Sequence, residues 1–186
     1  IQRVNRPLMF LNLMLLMGIS FLPFPTALLA ASVTVTTLVV AGVAGVFVSR
    51  HRFRGRRVLV TGAGGFIGSH LAKRLVELGA RVRAVVRYNS RNDCGLLEVL
   101  PASIKSSLDV RSGDIIDPFW TARVVEGVDI IFHLAALIAI PYSYRAPAQF
   151  LGVNGTGTLN LLEAARRVGV ERFVHTSTSE TYGTAQ

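Results

Sequence analysis

Three glycines spaced three apart, Gly62, Gly65 and Gly68, separate a β-branched run, Val58-Leu59-Val60-Thr61, from an amphipathic stretch beginning at Phe66 and Ile67. Glycine at the first position permits a tight turn out of a strand. At the second it leaves room for a pyrophosphate against the backbone, and at the third it lets a helix pack closely on its strand. The helix N-terminus adds free N–H groups and a positive dipole end. In this strand-turn-helix context the triplet reads as a dinucleotide loop with contacts from Gly62, Gly65, Phe66, Ile67 and Gly68.

Further candidates follow at the ends of apolar runs. An acid about 20 positions past the glycines would bind the adenosine ribose hydroxyls of NAD. Arg87 stands there instead, with Arg91 nearby. An arginine suits the 2′-phosphate of NADP, and also suits a plain surface. The cofactor is therefore read as NAD(P), with a slight lean to NADP. Gly113-Asp114-Ile115 ends the third strand, with Asp114 and Ile115 as cofactor contacts; Asp114 can accept from an adenine amino group or cap a helix. In His133-Leu134-Ala135-Ala136 the small residues let backbone lie along a cofactor. His133 itself lacks metal-ligand spacing and reads as packed or pocket-lining rather than as a base; no metal is expected.

Strand and helix patterns alternate to hold these positions, which implies a parallel sheet with crossover helices. Strands are predicted at 58–61, 82–86, 108–112, 129–133 and 172–176. Helices are predicted at 66–78, around 119–125, and from about 148 to 168. Right-handed crossovers give the order 3-2-1-4-5, a Rossmann-type doubly wound α/β sheet that binds ligands beyond the carboxyl ends of its strands. This domain is assigned to 57–186 and read as incomplete at its C-terminal end.

The net charge of +9 over 186 residues lies mostly outside that domain. Residues 1–57 hold seven arginines and no acid, and the remainder is nearly balanced. No basic stripe interleaved with aromatics is visible, which argues against nucleic acid as a partner. The single cysteine, Cys94, excludes an internal disulfide and a cysteine-based zinc site. Between Arg6 and Arg50 there are 43 uncharged residues, where one membrane span needs about 20. Pro23-Phe24-Pro25 divides this run, so 1–56 reads as a two-helix membrane hairpin with a basic juxtamembrane linker. Arginines at both outer ends place those ends, and the following domain, on the cytoplasmic side, with Arg50–Arg57 against lipid headgroups. A cleaved signal peptide ending near Leu28-Leu29-Ala30-Ala31 is the alternative. Both Ile1 and Gln186 read as cuts through something longer.

Two resemblances add to this reading. Arg3-Val4-Asn5-Arg6-Pro7-Leu8, Phe10-Leu11-Asn12-Leu13 and Leu22–Leu29 resemble part of a family of small prokaryotic potassium-channel-like membrane proteins. That family's pore-forming first helix has no counterpart here, and no channel function is taken from it. The second resemblance covers 57–186. Thr61–Gly68, Gly113-Asp114, His133–Ala136, Val153-Asn154-Gly155-Thr156-Gly157-Thr158 and Thr176–Gly183 occur in one order. Together they resemble the extended short-chain dehydrogenase/reductase family (NAD-dependent epimerase/dehydratase), whose members act on nucleotide sugars and are commonly dimeric.

The resemblance implies roles for Thr178-Ser179-Glu180-Thr181-Tyr182-Gly183. Thr178 would hydrogen-bond the sugar 4-OH during hydride transfer. Glu180 stands where 4,6-dehydratases carry a carboxylate and epimerases a small neutral residue, and Ser179 would sit beside the leaving group. Asn154 matches an asparagine that braces the active-site backbone in the family, or could simply cap or kink its helix. Leu137-Ile138-Ala139-Ile140-Pro141-Tyr142-Ser143-Tyr144 looks like a subgroup of dehydratases acting on nucleotide-linked N-acetylhexosamines. UDP-glucuronate decarboxylases share the Thr-Ser-Glu arrangement, and an epimerase of the same family is a further alternative. The family's Tyr-x-x-x-Lys pair is missing: Gln186 follows Tyr182 at that spacing, and Ala146 follows Tyr142. These residues alone are thus expected not to turn over. A membrane-anchored dinucleotide-binding module without chemistry, or a hydrophobic remnant joined to a non-functional fragment, remain as other readings.

Overall fold

A computed structural model describes residues 52–178. One parallel sheet runs in the order β3-β2-β1-β4-β5, as the crossover rule predicts. Its strands are β1 (Arg57–Thr61), β2 (Arg81–Arg87), β3 (Leu108–Gly113), β4 (Ile130–His133) and β5 (Arg172–His175). Each lies within a residue of its predicted span. The predicted membrane hairpin and its channel-like resemblance fall outside the described residues except for 52–56. No helix among the described residues is long and apolar enough to cross a membrane.

The central strands β1 and β4 are covered on both faces and are nearly continuous apolar runs, whereas β3 and β5 at the sheet edges are largely exposed. On one face Val58, Val60, Val82, Ala84 and Val86 pack against Ala72 and Leu75 of α1 (Phe66–Glu77). A 3₁₀ turn (Gly95–Val99) adds Leu97, and α2 (Ala102–Lys105) follows it. On the other face Leu59, Val85 and Ile131 meet Val124 of α3 (Pro118–Val124), together with Leu161 and Ala165 of α6 (Thr158–Val168).

Local chemistry sets the helix ends. The Asp117 carboxylate accepts from the Phe119 N–H at 2.8 Å, with Pro118 in the first turn of α3. At the other end of α3, Arg83 of β2 donates to the Val124 and Glu126 carbonyls at 2.7 and 3.0 Å. These are carbonyls the helix cannot satisfy itself. The same guanidinium pairs with Asp109 at 2.8 Å, tying the base of β3 to α3. Gly169, at φ 70°, ends α6 in the left-handed region, and Val170 N–H returns to Ala165 O.

The single helix expected from 148 to 168 is built differently. A short α5 (Pro147–Phe150) leads into a π-helical segment (Leu151–Gly157), which passes into α6. Side-chain bonds to other elements hold this departure, as described below. The 3₁₀ turn, α2 and α4 (Ile140–Ser143) were not predicted from sequence. Each is too short to show a helical period; Pro101 immediately precedes α2, and Pro141 lies in the first turn of α4.

Candidate dinucleotide site

The strand register brings the carboxyl ends together. Thr61 pairs with Val85 on one side and His133 on the other. Arg87 pairs with Gly113, and His133 with His175. The candidate residues therefore share one edge of the sheet.

Gly62 leaves β1 at φ +69°, and a Cβ there would lie 2.9 Å from both the Ala135 nitrogen and the Leu134 carbonyl carbon. Glycine is required for conformation and for space alike. Gly65 N–H closes the turn on Gly62 O at 3.1 Å. A Cβ on Gly65 would meet nothing nearer than Gly62 O at 3.3 Å. The open side of that residue is the side a pyrophosphate would approach. Gly65 begins α1 without a side-chain cap, so first-turn N–H groups stay available to an anion. Phe66 and Ile67 are exposed at the mouth, and Gly68 is buried against the Gly62 backbone.

Two glycines that sequence reasoning passed over complete this loop. Gly64 O accepts from Leu96 N–H at 2.9 Å. A Cβ on Gly64 would come within 2.9 Å of Cys94 O, and one on Gly95 within 2.5 Å of Gly64 O. The segment after β2 thus lies backbone to backbone across the glycine loop. Its shape is fixed by Asn89, whose Oδ1 accepts from the Arg91 and Asp93 N–H groups at 3.1 and 3.2 Å. Asn89 Nδ2 donates to Asp93 O at 2.8 Å, and Asp93 Oδ1 accepts from Gly95 N–H at 2.7 Å. Arg87 and Arg91 are both exposed on this pinned loop. The turn-rich Asn-Asp-Cys-Gly sequence was the available signal.

At the end of β3, Gly113 is overlain by the Trp120 indole, which occupies the space a Cβ would need. Asp114 Oδ1 accepts from Ile116 N–H at 3.0 Å, a local turn that holds the carboxylate at the rim. Ile115 is buried, packing on Gly157; its side chain serves the core.

At the centre, Thr61 Oγ1 accepts from the Leu134 and Ala135 N–H groups, both at 3.1 Å. It also lies 2.7 Å from Nδ1 of the buried His133, whose Nε2 is 2.9 Å from Thr158 Oγ1. Burial, and secondarily the neighbouring His175, push the His133 pKa down to about 4. It is a neutral, satisfied core histidine, the packed alternative of the sequence reading. Asn154, in the π segment, accepts from Leu137 N–H at 2.8 Å and donates to Leu137 O at 2.9 Å. It braces the backbone just past Leu134–Ala136. Thr176 N–H donates to His133 O at 3.1 Å, carrying the β4–β5 pairing past the end of β5. Thr178 is exposed two residues further on, and Ser179 and Glu180 lie outside the described residues. No metal-binding cluster occurs among the described residues.

A glycine turn under an uncapped helix N-terminus, at the switch point of a parallel sheet, defines a dinucleotide-binding α/β domain. The family model described as GDP-mannose 4,6 dehydratase matches residues 59–186, and the chain belongs to the NAD-dependent epimerase/dehydratase family. It is 41% identical over 127 residues to a 3 beta-hydroxysteroid dehydrogenase/Delta 5-->4-isomerase of Mycobacterium tuberculosis, covering 66% of this chain and 32% of that protein. It is 38% identical over 131 residues to a dTDP-D-glucose 4,6-dehydratase of Mus musculus, covering 69% and 37%. The structure of MoeE5 in complex with UDP-glucose and NAD superposes with a TM-score of 0.58 at 36% identity, covering 70% of this chain and 39% of that one. The chain spans about a third of the length of these curated relatives.

Proposed function

We propose that this chain is the cofactor-binding part of an NAD(P)-dependent nucleotide-sugar 4,6-dehydratase, a lyase. The observation that carries the reading is the path of the chain beyond β5. The Thr176 N–H bond to His133 O carries the chain past the carboxyl ends of β4 and β5 as far as the exposed Thr178, and Ser179 and Glu180 follow it in the sequence.

A nicotinamide cofactor held at this loop would supply reversible hydride transfer, from the sugar C4 and back at C6. Thr178 orients the C4 hydroxyl. Oxidation at C4 acidifies the C5 proton, which Glu180 removes as the C6 hydroxyl leaves beside Ser179. Gly62, Gly65 and Gly68 with the first turn of α1 would hold the cofactor's pyrophosphate. Arg87, with Arg91 on the loop pinned by Asn89, supports NADP over NAD, since no carboxylate ends β2 to claim the ribose hydroxyls. The 186 residues contain no Tyr-x-x-x-Lys pair, so on their own they bind cofactor without turnover. The uncharged N-terminal run supports anchoring of the domain on the cytoplasmic face of a membrane, and the family supports a homodimer.

A UDP-glucuronate decarboxylase is the second reading, favoured by the same Thr-Ser-Glu sequence. The test supplies the parent protein with a UDP-N-acetylhexosamine or with UDP-glucuronate and follows product mass. Loss of one water without net cofactor consumption supports the dehydratase. Loss of carbon dioxide establishes the decarboxylase instead, and retained dehydration in Glu180→Gln removes the proposed base.

A further inference from the structure

We infer that His133 is a positioning residue that ties the π segment to the sheet and thereby sets Asn154 on the Leu137 peptide. The directions of the hydrogen bonds are forced. A threonine hydroxyl has two acceptor lone pairs and one proton. Thr61 Oγ1 spends both lone pairs on the Leu134 and Ala135 N–H groups, so its proton goes to His133 Nδ1 at 2.7 Å. A neutral imidazole that accepts at Nδ1 carries its proton on Nε2, and this proton is donated to Thr158 Oγ1 at 2.9 Å. The Thr158 proton then goes to the Asn154 carbonyl at 2.7 Å. One imidazole thus joins the end of β1 to the handover from π turn to α6, through bonds that each have a single allowed sense.

Thr158 is the first residue of α6, and Asn154 lies within the π segment four residues before it. A π turn carries an extra residue, and each residue of a helix turns the chain by about 100°. If 151–157 relaxed to plain α-helix, Asn154 would swing by about that angle relative to α6 and lose its paired bonds to Leu137. A threonine hydroxyl reaching a carbonyl four residues back occurs in ordinary helices too. Here that hydroxyl is itself held from the sheet, so the handover cannot slide along the helix without breaking the His133 bond. His133 touches neither cofactor nor substrate in this account. It acts through Asn154 on the Leu137 backbone that walls the site.

The expected change in affinity rests on the proposed dinucleotide binding; the hydrogen-bond chain and the hold on Asn154 do not. It is tested on the full 186-residue chain with 15N-labelled histidine and asparagine, by NMR and by titration with NADP and NAD. The expected result is an Nε2–H tautomer for His133 and slowly exchanging Asn154 side-chain amide protons. Thr158→Val should abolish that protection and weaken binding of whichever cofactor the chain prefers by about tenfold, the loss of one well-made hydrogen bond. Thr158→Ser, which keeps the hydroxyl, should restore both. An Nδ1–H tautomer in the unsubstituted chain overturns the inference, even if Thr158→Val fails to fold. Protected Asn154 amide protons in folded Thr158→Val overturn it equally. If the unsubstituted chain binds neither cofactor, the dinucleotide reading fails, and the His133 tautomer with the Asn154 protection in Thr158→Val still decides this inference.

Discussion

Thr61 and His133, the last residues of two neighbouring strands, stand in register and share a buried hydrogen bond of 2.7 Å at the point where the strand order reverses. The bond belongs to the fold, yet the same Thr61 hydroxyl holds the Leu134 and Ala135 backbone. Its neutrality has a consequence in acid. The folded-state pKa of His133 is about 4 against an ordinary 6.5, so between these values the unfolded chain binds more protons. Stability from neutral His133 is complete above about pH 6.5 and is lost as pH falls toward 4, by on the order of 2–3 kcal/mol. Urea midpoints measured across this window should decline in the unsubstituted chain. The decline should flatten in His133→Gln.

The glycines separate into those that serve the fold and one that serves the ligand. Gly68→Ala drives a methyl into the Gly62 backbone and should cost about 3 kcal/mol or more. Gly65→Ala meets only a 3.3 Å neighbour. It should leave thermal unfolding nearly unchanged while reducing cofactor affinity on the order of a hundredfold, since the new methyl stands where the pyrophosphate approaches. Calorimetry of unfolding and of binding on both variants reads the difference directly.

Arg87→Asp should reverse the cofactor preference. A carboxylate there repels the 2′-phosphate and accepts from ribose hydroxyls, so NADP affinity should fall and NAD affinity rise in a paired titration. Asn89→Ala removes the bonds to Arg91, Asp93 and the Asp93 carbonyl. It should weaken NADP more than NAD because it loosens the loop without removing a charge.

Asp117→Ala deletes the side-chain cap of α3 and should cost about 1 kcal/mol. Thermal unfolding would show a small drop in Tm with cofactor affinity preserved, because α3 packs on the sheet away from the glycine loop.

The strand order was legible because Val58–Val60, Ala84–Val86 and Ile130–Ile131 are buried on both faces and leave apolar runs that no surface element would carry. The glycine triplet was legible because its spacing encodes a turn and a close helix contact, both local. Gly64 and Gly95 were not, since their need for glycine arises where two loops distant in sequence cross. The π segment was hidden for the same reason. Its sequence carries a helical period, and the bonds that shift it come from His133 and Leu137. The side chains of Asp114 and Ile115, both expected at the cofactor, diverge in the turn after β3: the carboxylate stays at the rim and the isoleucine packs in the core, so a contact from Ile115 would come from its backbone.

The indole of Trp120 leaves position 113 no volume for any side chain. For anyone redesigning cofactor use by mutagenesis, the end of β3 is therefore a closed address. Libraries placed there will return misfolded protein before they return altered preference. Variation introduced at Arg87, Tyr88, Ser90 and Arg91 meets solvent while Asn89 and Asp93 keep the loop's shape, so retooling of this scaffold has one productive strand end.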